Sequence, residues 1–386
     1  NSSSKWLGGS AYNDEPKLKN CEAKASNSMS LEMHNLSKKK FHTIELLRFF
    51  SSISVILYHY KIGFAWDKGF IPSNELTQIL PFYENINLIY NYGFYGVQLF
   101  FLISGFVFAH MYVNRENLVS AKEFFINRFA RLYPLHFLTL SIIIIYILID
   151  HDFLKGLFNV ERTRYLDTYH FILNIFYIHS WGLEKGLSFN APTWSVSVEI
   201  AVYITFFLAI KYIRRFKIYF SAVLIILLFI LYKNPVINFR YSEYIFFFYM
   251  GTFIYQINIK KYFKYFFLLS IFLILASFFG RNFKILLFCP GILILTVILD
   301  EFVTGNKIRI FFSTLGSLTY SLYLIHFPIM IIFLWLENNF ITFNNFYKTN
   351  IFFITYFILI TIISLLSFKY FEKPLNMKIR QIFNKT

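Results

Sequence analysis

Residues 44–60 read "IELLRFFSSISVILYHY". This stretch is apolar enough to begin a membrane-spanning helix, yet it contains Glu45, Arg48 and His59. A charged side chain at the centre of a bilayer costs about 3 kcal/mol. Polar side chains in such a segment therefore indicate a cavity or a functional site inside the membrane, and not a surface that faces lipid.

The composition places the whole chain in the membrane class. Of its 386 residues, 57% are hydrophobic and 15% charged, whereas soluble domains carry about 25% charged residues. This predicts an all-α, polytopic integral membrane protein. The formal net charge of +16 would also suit a nucleic-acid-binding protein. However, Lys and Arg lie in short loops between apolar segments, as the positive-inside rule expects, so no nucleic-acid partner is predicted.

The apolar segments can be counted against the length that a bilayer requires, which is about 20 residues for a helix. About ten segments qualify, and the basic loops place both termini in the cytoplasm; the outer loop 64–88, in contrast, holds only Lys68. The run 170–181 is too short to span and predicts an interfacial or re-entrant segment. The predicted spans are 44–63, 89–112, 133–150, 194–211, 217–232, 243–259, 263–279, 284–300, 311–336 and 349–371.

The remaining parts of the chain are expected to be simple. Residues 1–40 are polar and aperiodic, which predicts a disordered tail or a remnant of cloning, and 377–386 read as a basic cytoplasmic tail. Cys21 and Cys289 are too few for a disulfide framework. No pair of histidines has metal-ligand spacing on one helix beside a carboxylate, so no metal is expected.

Arg48 and His59 lie eleven residues apart on the first predicted span. In a helix this spacing gives a net rotation of only about 20° and a separation of about 16 Å along the axis. Both side chains therefore share one face, with Arg48 near the cytoplasmic boundary and His59 toward the outer side. A helix that lines a cavity across the membrane has this pattern. The alternatives are a snorkelling arginine and a histidine that only packs.

Further polar positions occur in later spans. Glu199 is predicted at a depth similar to that of His59, where a carboxylate would orient the imidazole and raise its basicity. Arg128 and Arg131 share a helix face at the cytoplasmic side, and paired guanidinium groups bind phosphates well. Each also has a plainer interpretation, as a structural carboxylate or as membrane anchors. His326 lies beside a proline in the middle of a predicted span.

Six motifs, in chain order, are similar to those of the membrane acyltransferase 3 family. They cover most of residues 42–375 and include Arg48 with His59, "FFLISGF" (100–106), "NRFARLYP" (127–134), "PTWSVSVE" (192–199), "YSLYLIHFP" (320–328) and "FEKP" (371–374). The resemblance implies that 41–376 form a transmembrane acyltransferase domain. Such proteins move acyl groups, usually acetyl, from cytoplasmic acyl-CoA to carbohydrates at the outer face of the bacterial inner membrane. O-antigen and other lipopolysaccharide sugars, peptidoglycan and exported glycans are the acceptors that the resemblance suggests.

The resemblance also implies roles for single residues. His59 would be the catalytic base or an acyl-handling residue, and Glu199 the motif carboxylate. Arg48, Arg128 and Arg131 would bind acetyl-CoA, the expected acyl donor. Some relatives carry consecutive arginines before the third span, whereas Asn127 stands before Arg128 here, and no hydrolase-like domain is expected after residue 375. The residues expected to line the cavity are Ser104, Trp194, Tyr323 and His326.

The expected partners are acetyl-CoA, a lipid-linked or surface polysaccharide, and membrane lipids. Two other function classes stay open at this point. A glycan flippase also needs many spans and buried charges, but it would not use acetyl-CoA. A glycan polymerase would need a charged outer loop, for which 151–193 with Arg162, Arg164 and Asp167 is the candidate. Direct transfer and an acyl-enzyme relay also remain alternatives.

Overall fold

A computed structural model describes residues 40–64, 66–67, 71–72, 78–115, 117–150, 165–234, 241–280, 284–340 and 345–384. The predicted tail 1–40 lies outside these residues, except for Lys40. The regular structure of the described part is helical apart from one two-residue antiparallel pair, β1 (Trp66–Asp67) with β2 (Ile71–Pro72). The all-α prediction is thus confirmed.

The helices follow the apolar runs of the sequence. Inside a bilayer every backbone N–H and C=O must be satisfied by the protein itself, and a helix does this within one segment. A π-helical turn, Phe368–Glu372, joins the last two helices. The helices are α1 (His42–Phe64), α2 (Tyr83–Tyr92), α3 (Gly96–Tyr112), α4 (Ala121–Ile149), α5 (Thr168–Ile175), α6 (Trp194–Lys233), α7 (Ser242–Gln256), α8 (Phe263–Phe279), α9 (Lys284–Leu299), α10 (Asn306–Asn339), α11 (Asn350–Ser367) and α12 (Lys373–Asn384).

Six continuous helical segments of the described chain are long and apolar enough to cross a membrane. They confirm a polytopic membrane protein, while the number of ten spans stays a prediction. The six segments are Tyr83–Tyr112, Ala121–Ile149, Ala191–Lys233, Lys284–Phe302, Asn306–Asn339 and Asn350–Phe383.

Helix α6 contains a sharp break at Lys217. The backbone of Lys217 has φ +48° and ψ −131°, a left-handed conformation that is unusual for a residue with a side chain. The break lies between a helical part that begins at Trp194 and a second part that ends at Lys233. These two parts correspond to the predicted spans 194–211 and 217–232.

Two helix pairs hold the bundle together at close range. Helix α1 packs on α10, where Ser52 Oγ donates to the carbonyl of Thr319 over 3.4 Å. Helices α3 and α7 cross at glycines: Gly105 lies against the carbonyl of Phe248, and Gly251 against the carbonyl of Leu102. A Cβ at either glycine would overlap the facing backbone, so the close approach of the two helices depends on glycine at both positions.

The short run 170–181 forms most of helix α5 and the turn that follows it. Asp167 caps α5 by accepting a hydrogen bond from the backbone N–H of His170 at 2.8 Å. Tyr177, in the turn that follows, is fully buried. Its hydroxyl lies 3.2 Å from that of Tyr320 on α10, and its ring stacks 3.7 Å from His136 on α4. This segment therefore packs between the long helices.

The predicted boundary between residues 376 and 377 falls within a continuous helix. Helix α12 packs along α4 and runs through Asn384. The residues expected to form a basic tail thus lie against the end of the bundle that carries Arg128 and Arg131.

Candidate functional site

A cavity of about 340 Å³ lies between helices α1, α3, α4, α6, α10 and α12. Among the residues that the structure describes, four arginines and two glutamates line it, which leaves an excess of positive charge. The cavity is thus suited to an anionic ligand. Its polar and charged lining residues are Glu45, Arg48, Ser104, Arg128, Arg131, Ser195, Glu199, Tyr203, Thr319, Tyr320, Tyr323 and Arg380.

Helix α4 contributes two of the arginines. Its start is fixed by Ser120, whose hydroxyl accepts from the backbone N–H of Glu123 at 3.1 Å. Arg128 and Arg131 follow one turn apart on the face that meets the cavity. The Arg128 guanidinium lies 4.8 Å from the ring centre of Phe108 and 5.6 Å from that of Tyr203. These aromatic faces hold the charge of Arg128 in a fixed position without neutralising it.

Arg131 forms no ion pair among the residues that the structure describes. It interacts electrostatically with three carboxylates, of Glu372, Glu45 and Glu199, while it faces the cavity. Glu372 is itself held by Ser321, whose hydroxyl donates to Oε2 at 2.6 Å. A half-buried guanidinium with carboxylates at longer range keeps its donors available for a ligand.

Helix α1 contributes the Arg48 side of the cavity. Arg48 Nη1 lies 3.1 Å from Glu45 Oε2, and Lys40 approaches the other oxygen of Glu45 at 3.8 Å. The Glu45 side chain packs on Gly316 of α10, where any larger residue would collide with it. The carboxylate therefore fixes the position of Arg48 at the edge of the cavity.

Glu199 lies on the cavity but not beside His59. Its Oε1 accepts hydrogen bonds from Ser104 Oγ at 3.2 Å and from the hydroxyl of Tyr203. The expected pairing of this carboxylate with His59 is therefore wrong. The physical reason is the direction of each helix face, since α6 presents Glu199 to α3 whereas α1 presents His59 to α10.

His59 pairs with a second histidine instead. His59 Nδ1 lies 2.9 Å from His326 Nε2, and the two rings are nearly parallel, with an interplanar angle of 18°. His326 is fully buried, and its ring centre lies 6.0 Å from that of Tyr323, which lines the cavity. The histidine pair thus lies next to the Tyr323 side of the cavity.

Pro328 lies two residues after His326 and interrupts the backbone hydrogen bonding of α10. A proline in a helix lacks the N–H that would serve the carbonyl four residues earlier, here that of Leu324. Asn190 fills this vacancy by donating from Nδ2 to the Leu324 carbonyl at 3.2 Å. The helix therefore continues through the histidine pair with its backbone groups satisfied.

The predicted site residues separate into two groups. The first group, Trp194, His59 and His326, does not line the cavity. For Trp194 and His326 the resemblance had implied a lining role. Trp194 stacks on Tyr241, with ring centres 5.7 Å apart. It lies about 140° around α6 from Glu199, so it cannot share that face. Those that line the cavity are Arg48, Ser104, Arg128, Arg131, Glu199 and Tyr323.

Several residues of the site were not predicted as such. Tyr203 lies one turn after Glu199 and donates to it, an i,i+4 spacing that could have been noticed. Glu372 belongs to the quoted motif "FEKP" but received no role. Arg380 was counted only as a basic tail residue, although it lies on the polar side of an amphipathic helix.

Comparison with known proteins identifies the family. Residues 41–369 match the model of the acyltransferase domain that defines the acyltransferase 3 family. The chain therefore belongs to this family of membrane acyltransferases. No solved structure matches the chain. Among the described residues, no group of three or more His, Cys, Asp and Glu side chains is arranged to hold a metal ion.

Two characterised relatives are similar over part of the chain. Peptidoglycan O-acetyltransferase OatA of Listeria monocytogenes is 28% identical over 175 residues, which are 44% of this chain and 24% of that protein. Acyltransferase MdmB of Streptomyces mycarofaciens is 30% identical over 176 residues, 45% of this chain and 40% of that protein. The matches thus span less than half the length of either relative.

Proposed function

We propose that this protein is an O-acetyltransferase of the bacterial inner membrane. It moves an acetyl group from cytoplasmic acetyl-CoA to a hydroxyl group of a cell-surface glycan, with lipopolysaccharide O-antigen as the acceptor. The observation that carries the proposal is the arginine-lined cavity, because a donor with several phosphates needs fixed, permanently charged guanidinium groups. Family membership supports the acyl transfer.

A second pocket extends the basic lining of the cavity. A more open pocket of about 650 Å³ adjoins α4 and α12, and it shares Arg380 with the main cavity. Three basic residues surround it, so the two pockets offer an extended basic path to an elongated anion. The lining residues are Arg115, Ser120, Lys122, Glu123, Asn127, Arg380 and Phe383. In the proposal, the phosphates of acetyl-CoA occupy this path and the thioester points toward Tyr323.

The chemistry assigned to His59 is general base catalysis. His59 accepts the proton of the acceptor hydroxyl as its oxygen attacks the thioester carbonyl, which forms the new C–O bond. The tetrahedral intermediate then collapses, the C–S bond breaks, and the thiolate of CoA takes the proton from His59. The products are the O-acetyl ester and CoA. A base in position contributes about 10²–10⁴-fold to such a rate.

The acetyl group has two candidate acceptors. The name of the Listeria relative specifies peptidoglycan, which supports O-acetylation of a glycan and makes peptidoglycan the second candidate acceptor. The polymerase alternative finds less support at Asp167. Burial raises the pKa of this carboxyl, but hydrogen bonds and charge from His170 outweigh burial, so that its pKa lies below the usual range. Asp167 thus serves as a helix cap, while Arg162 and Arg164 lie outside the described residues.

The test uses cells that make a defined lipopolysaccharide, with no copy, the wild-type copy, or a His59→Ala copy of the gene. O-acetyl groups are counted by proton NMR on purified lipopolysaccharide and, separately, on purified peptidoglycan. His42→Ala is the matched control, because His42 lies on the same helix, bonds Ser313 at 3.0 Å and does not line the cavity. Membrane levels of each variant are measured by immunoblot.

The expected result is acetylated lipopolysaccharide with wild type and His42→Ala, and none with His59→Ala. Acetyl groups on peptidoglycan alone would transfer the proposal to that acceptor. A flippase would need no donor, so purified protein in lipid nanodiscs is also given radiolabelled acetyl-CoA and an O-antigen acceptor. If no label moves and no glycan gains acetyl groups in cells, the acetyltransferase proposal is wrong.

A further inference from the structure

The contact between His59 and His326 determines which nitrogen of His59 carries a proton. His59 Nδ1 and His326 Nε2 are 2.9 Å apart, which is a hydrogen-bond distance. One nitrogen must donate and the other accept. Distance alone does not decide the direction, because either tautomer of a neutral imidazole is chemically possible.

The other nitrogen of His326 decides it. His326 Nδ1 lies 3.1 Å from the backbone carbonyl of Leu322, one turn earlier on α10. A carbonyl oxygen only accepts hydrogen bonds, so Nδ1 of His326 must carry the proton. His326 is fully buried and has no carboxylate within ion-pair distance among the described residues. A charged imidazole there would be costly, and the ring is therefore neutral.

A neutral His326 with a protonated Nδ1 has a lone pair on Nε2. This nitrogen accepts, so Nδ1 of His59 must be the donor. A neutral His59 then has its own lone pair on Nε2, which forms no hydrogen bond with any residue that the structure describes. The chain of bonds runs from His59 to His326 to the Leu322 carbonyl, and it leaves a basic nitrogen at the free end.

We infer that His326 is a positioning residue that holds His59 in the Nδ1–H tautomer, with Nε2 as the base that receives the substrate proton. The inference rests on the proposed function, because it assigns the reacting atom of that same site. His326 takes the place that a carboxylate occupies in hydrolytic triads, where the partner fixes the tautomer and the orientation of the ring. A neutral imidazole performs this without burying a further charge.

The arrangement also explains why Glu199 is not the hydrogen-bond partner of His59. Glu199 is already bonded to Ser104 and Tyr203 on the cavity wall. The orientation of His59 instead depends on α10, the helix against which α1 packs. Because α10 carries both His326 and Tyr323, one helix positions the base and forms part of the cavity wall.

Three substitutions of His326 separate positioning from packing. The side-chain oxygen of Gln reaches the place of His326 Nε2 and can accept from His59. Asn reaches only the place of Nδ1, near the Leu322 carbonyl. Leu fills the volume and has no acceptor. His326→Gln, His326→Asn and His326→Leu are purified in nanodiscs at matched folded amounts, and acetyl transfer from acetyl-CoA is measured.

We expect kcat to fall about 100-fold in His326→Leu and His326→Asn, the scale of a misoriented base. His326→Gln should retain at least about a tenth of wild-type kcat, since the acceptor for His59 is restored. KM for acetyl-CoA should stay within about twofold in all three, because the phosphate-binding arginines are unchanged. Equal losses in the three variants, or full activity in His326→Leu, would overturn the positioning role.

A second measurement does not depend on activity. The protein is labelled with ¹⁵N-histidine, and solid-state NMR in lipid identifies the His59 signals by their loss in His59→Ala. We expect a protonated Nδ1 and an unprotonated Nε2 for His59. A protonated Nε2 would overturn the inference. If wild-type protein transferred no acetyl group from acetyl-CoA, the proposed function would fail, while the NMR result would still decide the tautomer.

Discussion

Helices α10 and α11 follow each other in the chain and pack together, yet they meet different surroundings. In the most apolar stretch of 18 residues in α10, 83% of the residues are buried. In the corresponding stretch of the segment that begins with α11, only 17% are buried. Helix α11 reads as an almost unbroken apolar run, "NIFFITYFILITIISLLS". Helix α10 is the more polar of the two and contains Tyr320, Ser321, Tyr323 and His326.

The difference shows where information lies in a membrane protein. Lipid is as apolar as a packed core, so an apolar residue does not reveal which side it faces. A polar residue does, because it needs a partner inside the protein. On α10 the hydroxyl of Tyr320 donates to the Leu132 carbonyl at 2.6 Å, and that of Tyr323 lies 2.7 Å from Ser195. The polar face of α10 therefore marks the side of the helix that packs inside the protein and borders the cavity.

The largest effect of a substitution on donor binding is expected at Arg131, on the polar wall of the cavity. Arg131→Ala removes a guanidinium group that has no ion-pair partner among the described residues. A hydrogen bond to a charged group is worth about 1.5–3 kcal/mol, so KM for acetyl-CoA should rise about 10–100-fold. Steady-state kinetics in nanodiscs measure this change.

The matched control for Arg131 is Arg215→Ala. It removes the same charge from an exposed position on α6 beside Phe216. KM should then stay within about twofold, because exposed charges contribute little. Equal rises in both variants would mean that general positive charge, and not the cavity, attracts the donor.

Two isoleucines on α11 test the contrast within a single helix. Ile360 is fully buried, whereas Ile358 is 53% exposed. Ile360→Ala should lower the free energy of unfolding by about 1–2 kcal/mol, less than in a soluble core, because only packing and no transfer from water is lost. Ile358→Ala should change it by less than about 0.5 kcal/mol. Thermal unfolding in detergent compares the two, and similar losses would contradict the assigned lipid-facing side.

The sequence predicted the membrane class, the all-helical fold and six of the residues that line the cavity. Arg48, Arg128, Arg131 and Glu199 all line the cavity, and a charge in or beside an apolar run is conspicuous without any structure. Their roles in binding and catalysis stay predictions. Local spacing placed Arg128 and Arg131 on one face, and helix geometry alone is sufficient for such a statement.

The failures have a common physical cause. The partner of His59 is His326, which lies 267 residues away in sequence, and the register between α1 and α10 brings them together. That register depends on packing details, such as the Glu45 side chain against Gly316, that no local spacing reveals. Trp194 does not line the cavity, because neighbouring residues of a helix point in different directions and a motif does not place all of its residues on one face.

A smaller effect on donor binding is expected at Arg380, the residue shared by both pockets. Arg380→Ala removes a charge that lies close to Arg128 and Arg131, so part of the lost attraction is offset by relief of repulsion. KM for acetyl-CoA should rise about 3–10-fold, less than for Arg131→Ala. Arg309→Ala is the control, since Arg309 bonds the Val303 carbonyl at 2.9 Å and does not line either pocket. An unchanged KM in Arg380→Ala would remove α12 from the donor site.

The smallest effect is expected at Ser104, which supplies one of the two side-chain hydrogen bonds that Glu199 accepts from described residues on the cavity wall. In Ser104→Ala the carboxylate keeps its bond from Tyr203, so kcat/KM should fall only about 2–10-fold. Ser270→Ala on α8 is the matched control, because Ser270 is also buried but donates to the Phe267 carbonyl of its own helix at 2.7 Å. Its kcat/KM should equal that of wild type. If both serine variants lost activity equally, the loss would reflect general packing. Ser104 on the polar cavity wall would then matter no more than a buried serine on a lipid-facing helix.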